Sequence, residues 1–448
     1  MSRSMLMMIL AVAPIALAAP PAANGPDRHV LADGLADADC VVLAPKDGSA
    51  RVHLPGGVQE GAIAVVLVDG KIDLAGPWAF QPAAQGARYN GVDCAWVDTS
   101  GKTLTAGLID PATHLGLVEV GAEAQTRDQD DEGASVGVDL RVSDAYNPRS
   151  TLIPIARVEG VTSAVVRPSG GRIAGLAAFV TLAGQTQAEA IDDEVVAVVA
   201  SIGGSSRARS MAELRAVLED ARLYARNRAA FERRATRDYV ASHRDLEALQ
   251  PVVRGQVPLV VEADRAADIE ALARLAKEQD IRLILEGGAE AWMHASALAD
   301  AEIGVIVDPM VYGAGGFNQR YGRADNAKLL ADAGVPVMLS TFSSHNARLL
   351  RTQAGNAVRG GMAYSDALRA ITRTPARAFG QTNVGELSAG QVANVVVWSG
   401  DPLELRTSAQ AVFIEGQAVP LDTRQWQLFR SYRELPGTPT PALSLPVE

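Results

Sequence analysis

At 448 residues the chain exceeds what one small core fills, and it has room for a barrel of about 250 residues with a smaller companion domain. Hydrophobic residues make up 48% and charged residues 21%, the balance of an ordinary globule. A formal net charge of −11 disfavours a polyanion, so nucleic acid is excluded as the main partner.

The chain opens with Ser2-Arg3-Ser4, an apolar run from Met5 to Leu17 and the small-x-small site Ala16-Leu17-Ala18 ahead of Ala19-Pro20. This order predicts a secretory signal at residues 1–18, because the run falls short of the roughly 20 residues a membrane anchor needs. The expected address is therefore periplasmic or secreted, with no membrane span after cleavage. Residues 19–39, rich in Ala, Pro, Gly and Asp, read as a flexible leader, and 436–448 as a flexible tail. Cys40 and Cys94 are the two cysteines of the chain. In an oxidising compartment they can close a disulfide, but two buried thiols give the same count, and spacing alone does not choose.

From 40 to 105 short β-type runs alternate with turn residues, as in Ala62 to Val68 before Asp69-Gly70, a hairpin signal. Between 106 and 380 apolar strands alternate with helical stretches, the rhythm of a parallel sheet with crossover helices. The strands expected there are 161–166, 195–199, 257–262, 282–286, 304–307 and 335–339. The Arg-rich stretch 208–249 reads as helix with a solvated face, and its part from Ala212 to Arg233 is a candidate interface. Loop turns are expected at Ser169-Gly170-Gly171 and Gly313-Ala314-Gly315-Gly316. The acidic stretch Glu119 to Glu132 reads as a solvated lid, with loose calcium binding as the other option. After Gly385 the β character returns over 381–435, which suggests that both chain ends pair into one discontinuous β domain.

Specific motifs then appear in order: Gly101-Lys102 through Gly107-Leu108-Ile109-Asp110-Pro111-Ala112-Thr113-His114-Leu115-Gly116, Glu159-Gly160-Val161-Thr162, 258–269, Glu286-Gly287-Gly288, Pro375-Ala376, and Gly385-Glu386-Leu387 to Asp401-Pro402-Leu403. Together they resemble the amidohydrolase superfamily, most closely its imidazolonepropionase-like members. The resemblance implies a distorted (β/α)8 TIM barrel with a small β-sandwich made from both chain ends. It also implies zinc-assisted hydrolysis of non-peptide C–N bonds in cyclic amides, amides or dipeptide-like substrates.

The residues that would carry that chemistry are largely replaced. Two imidazoles at i and i+2 on a strand point to one face, as a metal chelate requires, but here the pair is Ala112 and His114. Histidines implied on later strands correspond to Glu262 and to Gly287, beside Glu286. Both carboxylates can ligate a metal, and both can equally pair with Arg265 or Arg282. The aspartate implied at the end of the last strand, which binds metal and takes the proton of the attacking water, falls at Phe342. No Asp or Glu stands between Asp332 and Asp366. A buried carboxylate left without its metal is costly, so loss of ligands and loss of metal belong together.

Of the six histidines, His114 and His345 are the barrel-mouth candidates. They could act as an acid/base pair beside Thr341, Ser343 and Ser344, or bind one divalent metal, zinc foremost, with Glu262; His114, Glu262 and Glu286 are the candidate metal residues. A serine nucleophile next to His345 lacks the required elbow motif. Two function classes follow. One is a pseudoenzyme that binds a small molecule or a protein partner, either an active homologue or a second copy of itself. The other is a hydrolase using one metal or none.

Overall fold

The structure is a computed structural model. It describes Leu35 and residues 38–433, apart from 47, 80, 84, 85, 131–135, 204, 205, 234 and 314. The expected signal, most of the leader, His29, part of the acidic stretch and the tail lie outside the described residues.

Eight strands form the central sheet: β1 (Leu108–Thr113), β2 (Val161–Val166), β3 (Ile173–Thr181), β4 (Ile191–Ser201), β5 (Leu259–Ala263), β6 (Leu283–Gly287), β7 (Gly304–Val307) and β8 (Val337–Leu339), neighbours in that order. The remaining gap between first and last strand is bridged by the segment after helix Tyr364–Arg369. Ile109 donates its N–H to the Ile371 carbonyl at 2.8 Å, and Leu339 donates to Ala370 at 3.0 Å. This is the distorted (β/α)8 barrel.

The distortion is local and corrects the expectation of a uniformly parallel wall. β3 runs antiparallel to both β2 and β4. β2 returns directly as β3 through the turn at Gly170 and Gly171, whose φ angles of +85° and +62° lie in the left-handed region that glycine enters without penalty. A tight turn of this kind leaves no room for a crossover helix, so the returning strand has to run antiparallel.

Period-2 alternation divides each strand between two apolar environments. Leu259 and Val261 of β5, Leu283 and Leu285 of β6, and Val305 and Val307 of β7 pack outward under the helices. Val165, Val260, Ile284, Ile306 and Met338 pack together inside the barrel. Wall strands buried on both faces read as continuous apolar runs for this reason. The Arg-rich stretch folds as helices Arg207–Glu232, His243–Ala248 and Gln250–Val253. Leu214, Val217 and Leu218 of the first join the outer core, while several of its arginines stay exposed.

The β domain consists of two six-stranded sheets. In one of them Thr103–Ala106 pairs with Val395–Trp398 on one side and Ala50–Leu54 on the other, so both chain ends share a sheet. The hairpin at Asp69-Gly70 forms as expected, joining Ile63–Val68 to Lys71–Pro77. Positive φ at both turn residues, +47° and +77°, gives the turn the twist that two strands joined by two residues require. Cys40 and Cys94 are joined by a disulfide between two neighbouring parallel strands, with Cα atoms 4.9 Å apart.

A buried arginine fastens barrel to sandwich. Arg351 donates to Glu159 at 3.0 Å and to the carbonyls of Pro402 and Glu404 at 3.3 and 2.8 Å, and its guanidinium faces the Trp398 ring. A Cβ added to Gly160 would come within 2.5 Å of that ring. Much of the Glu159-Gly160 and Trp398 to Leu403 motifs therefore encodes this joint.

Candidate functional site

One inward position beyond the apolar layer, the strands present a polar ring. Counting by two from Val165, Val260, Ile284, Ile306 and Met338 gives Arg167, Glu262, Glu286, Asp308 and Ser340, and β1 adds Asp110 and His114. Apart from Asp110, which sits mid-strand beside Ala164, these positions lie at or just past the carboxyl ends of the strands, the face on which such barrels carry their sites.

Arg167 and Glu286 form an ion pair, with side chains only 12% and 4% exposed. Burial raises the Glu286 carboxyl to about 7 against the pull of Arg167, and nearby Glu262 and Asp264 push the same way. In the wall, Glu262 and Glu286 are register partners on adjacent strands. Glu262 itself is exposed to solvent.

This corrects the pairing expected for Glu286 with Arg265 or Arg282. Arg282 precedes β6 while Glu286 lies near its far end, roughly 13 Å away along an extended strand. The Arg282 guanidinium instead donates to the carbonyls of Gln256 and Ala378 at 3.1 and 3.0 Å.

Asp110 is wholly buried. Its Oδ1 accepts from the Ser340 hydroxyl at 2.6 Å and from the Ala112 N–H at 3.1 Å, and its Oδ2 is buried without a partner among the described residues. Burial outweighs these bonds and raises the carboxyl to about 7. His114 Nδ1 lies 2.8 Å from the Arg167 carbonyl. A carbonyl only accepts, so Nδ1 carries the proton of the neutral ring. Burial, with Arg167 adding to it, lowers the His114 pKa to about 4.

The substituted positions are taken up by apolar packing at two sites and by a turn at the third. Ala112 packs in the barrel interior, and Phe342 packs against the same apolar group. Phe342 adopts φ +52°, held by its N–H bond of 3.0 Å to the Ser340 hydroxyl. Gly287 has φ +94°, and a Cβ there would lie 2.6 Å from Asp264 Oδ1. That carboxylate is itself engaged, by the Ala289 N–H at 3.1 Å and the Gln319 amide at 2.7 Å.

His345 is exposed, and its Nε2 bonds the Glu119 carbonyl at 3.1 Å on the loop after β1. Of its expected pocket, Thr341 and Ser343 bond each other within the loop. Glu119 turns its carboxylate to Thr151, 3.0 Å from the hydroxyl, at the start of helix Leu152–Arg157.

Among the described residues no group of three or more His, Cys, Asp or Glu is arranged to hold a metal. Glu286 is committed to Arg167 and Glu262 faces solvent, which leaves His114, with Nδ1 on a backbone carbonyl and Nε2 unprotonated, as a single imidazole. These residues do not fit a metal pair. Sequence reasoning missed Arg167, Asp308 and the buried role of Ser340. Inward counting from Val165, Ile306 and Met338 was the signal that could have found them.

A profile of the family described as Amidohydrolase family matches residues 204–423. "Amidohydrolase tasK" of Hapsidospora irregularis is 22% identical over 373 residues, 73% of this chain and 37% of that relative, so the chain spans little more than a third of its length. An amidohydrolase structure from Thermotoga maritima MSB8 superimposes with a TM-score of 0.74 at 23% identity, covering 85% of this chain and 99% of that one. A prolidase complexed with N-methylphosphonate-L-proline gives 0.51 at 15% identity, over 85% and 99% of the two chains. At these identities the structures establish the fold. The family profile, the shared barrel and sandwich, and the motifs from Gly101 to Leu403 converge: the chain belongs to the amidohydrolase superfamily.

Proposed function

We propose that this chain is a pseudoenzyme of the superfamily, keeping the barrel as a binding scaffold for a small molecule or a partner protein and not hydrolysing C–N bonds. The observation that carries the reading is the commitment of Glu286 to Arg167, with His114 held on that arginine's backbone carbonyl. A carboxylate able to bind metal or activate water is thereby engaged by the protein itself, and the imidazole beside it is held in one orientation. Phe342 and Gly287 support the same reading, since one packs on the barrel interior and the other is a turn that admits no side chain without displacement.

Under this reading the protein acts in the periplasm or outside the cell. The order of residues 1–18 supports that address, and so does the Cys40–Cys94 disulfide, a bond that persists in oxidising compartments. Described helices include none long and apolar enough to cross a membrane.

The test is elemental analysis of the purified protein after growth with added zinc, paired with a screen of cyclic amides and dipeptides. The expected result is no stoichiometric zinc, manganese or iron and no turnover. One metal per chain that disappears in His114→Ala or Glu262→Ala, together with hydrolysis that disappears with it, would establish the alternative, a hydrolase built on His114, Glu262 and His345.

A further inference from the structure

We propose that the guanidinium of Arg167 is the resident cation of the barrel mouth, supplying by covalent attachment the positive charge that its inward carboxylates require. The inference rests on the metal-free reading above and goes beyond it by naming the residue that makes the metal dispensable.

Position is the first argument. Arg167 follows the last residue of β2, and its N–H bond of 3.0 Å to Thr113 continues the pairing with β1. Glu286 stands on β6, four places further along a sheet of eight strands that is nearly closed. Strands so separated form opposite walls, so the ion pair crosses the barrel axis. Ligands on β1, β5, β6 and β8 would converge on that same axis.

The bonding of Arg167 is the second argument. One terminal nitrogen meets Glu286, the other donates to the Pro168 carbonyl at 3.2 Å, and the residue's own carbonyl holds His114 at 2.8 Å. Arg167 Nε, Glu286 Oε2 and Asp110 Oδ2 are all buried without a hydrogen-bond partner among the described residues. Two acceptors and one donor so placed are matched by mutual attraction around one charge, and a guanidinium keeps that charge throughout the physiological range. In such a cluster, removing one member of a pair costs more than removing both, because the survivor is left buried and uncompensated.

The experiment compares Tm for the wild-type protein, Arg167→Met, Arg167→Lys and the double variant Arg167→Met with Glu286→Gln. Arg167→Met should lower Tm by about 5–10 °C, and adding Glu286→Gln should recover at least half of that loss, since the amide is uncharged. A double variant no more stable than Arg167→Met overturns the proposal, because the arginine would then matter only for packing. Should Arg167→Met fail to fold, Arg167→Lys decides. Soluble folded protein with the charge retained supports the proposal, and the same failure to fold overturns it. A stoichiometric zinc ion retained by the wild-type protein against a chelator is a separate failure, overturning the metal-free reading itself.

Discussion

Replacing Asp110 by Asn should stabilise the protein in a strongly pH-dependent way. Asp110 is wholly buried, and its carboxyl is raised by burial from 3.8 to about 7. A carboxyl whose folded pKa exceeds its unfolded value binds protons more tightly in the folded state. Its stability contribution is complete below the unfolded value and is lost as pH rises through the folded one. Between pH 5 and pH 8 this single group withdraws about 2.5 kcal/mol from the wild-type protein. Asn keeps an oxygen for the Ser340 hydroxyl and the Ala112 N–H and has no charge to lose. Urea unfolding of both proteins at the two pH values is the assay, and the advantage of Asp110→Asn should grow by about that amount at the higher pH. An equal difference at both values would refute the reasoning, because it would show that the buried carboxyl carries no proton at pH 5 that it loses by pH 8.

Other expectations follow from the same structure. His53, stacked on Tyr364, has its pKa lowered from 6.5 to about 4 by burial, so its share of stability is present above 6.5 and lost as pH falls toward 4. His53→Gln should remove up to about 3 kcal/mol of acid sensitivity over that window, measured as Tm against pH. Removing the disulfide with Cys40→Ala and Cys94→Ala, 54 residues apart, should lower stability by about 2–4 kcal/mol in urea unfolding. Gly287→His should fail to restore a metal ligand. Its φ of +94° and the Asp264 oxygen 2.6 Å from the new Cβ predict a lower Tm and no gain in bound zinc by elemental analysis.

The barrel was legible in the sequence wherever a wall strand is apolar on both faces, as at Val161–Val166 and Gly304–Val307. β3 was not, although all nine of its residues are buried, because a run such as Ile173–Thr181 carries no sign of direction. Its orientation is imposed by the turn at Gly170-Gly171. At the mouth, comparison with the family motif located the substituted positions, yet it directs attention to ligands and says nothing of what replaced them. Arg167 escaped notice because it stands just beyond the apolar run, and the partner of Glu286 is set by closure of the sheet rather than by nearness in sequence.

The shared sheet has a consequence for the order of events during synthesis. Thr103–Ala106 leaves the ribosome early, but its partner Val395–Trp398 follows almost three hundred residues later. At roughly 5–20 residues per second the early strands wait on the order of 15–60 s with one edge unpaired. During that interval the chain offers a β edge to any neighbouring nascent copy. Slowing elongation between residues 107 and 394 should therefore lower soluble yield more than slowing it after residue 414, once the last long strand of that sheet is complete.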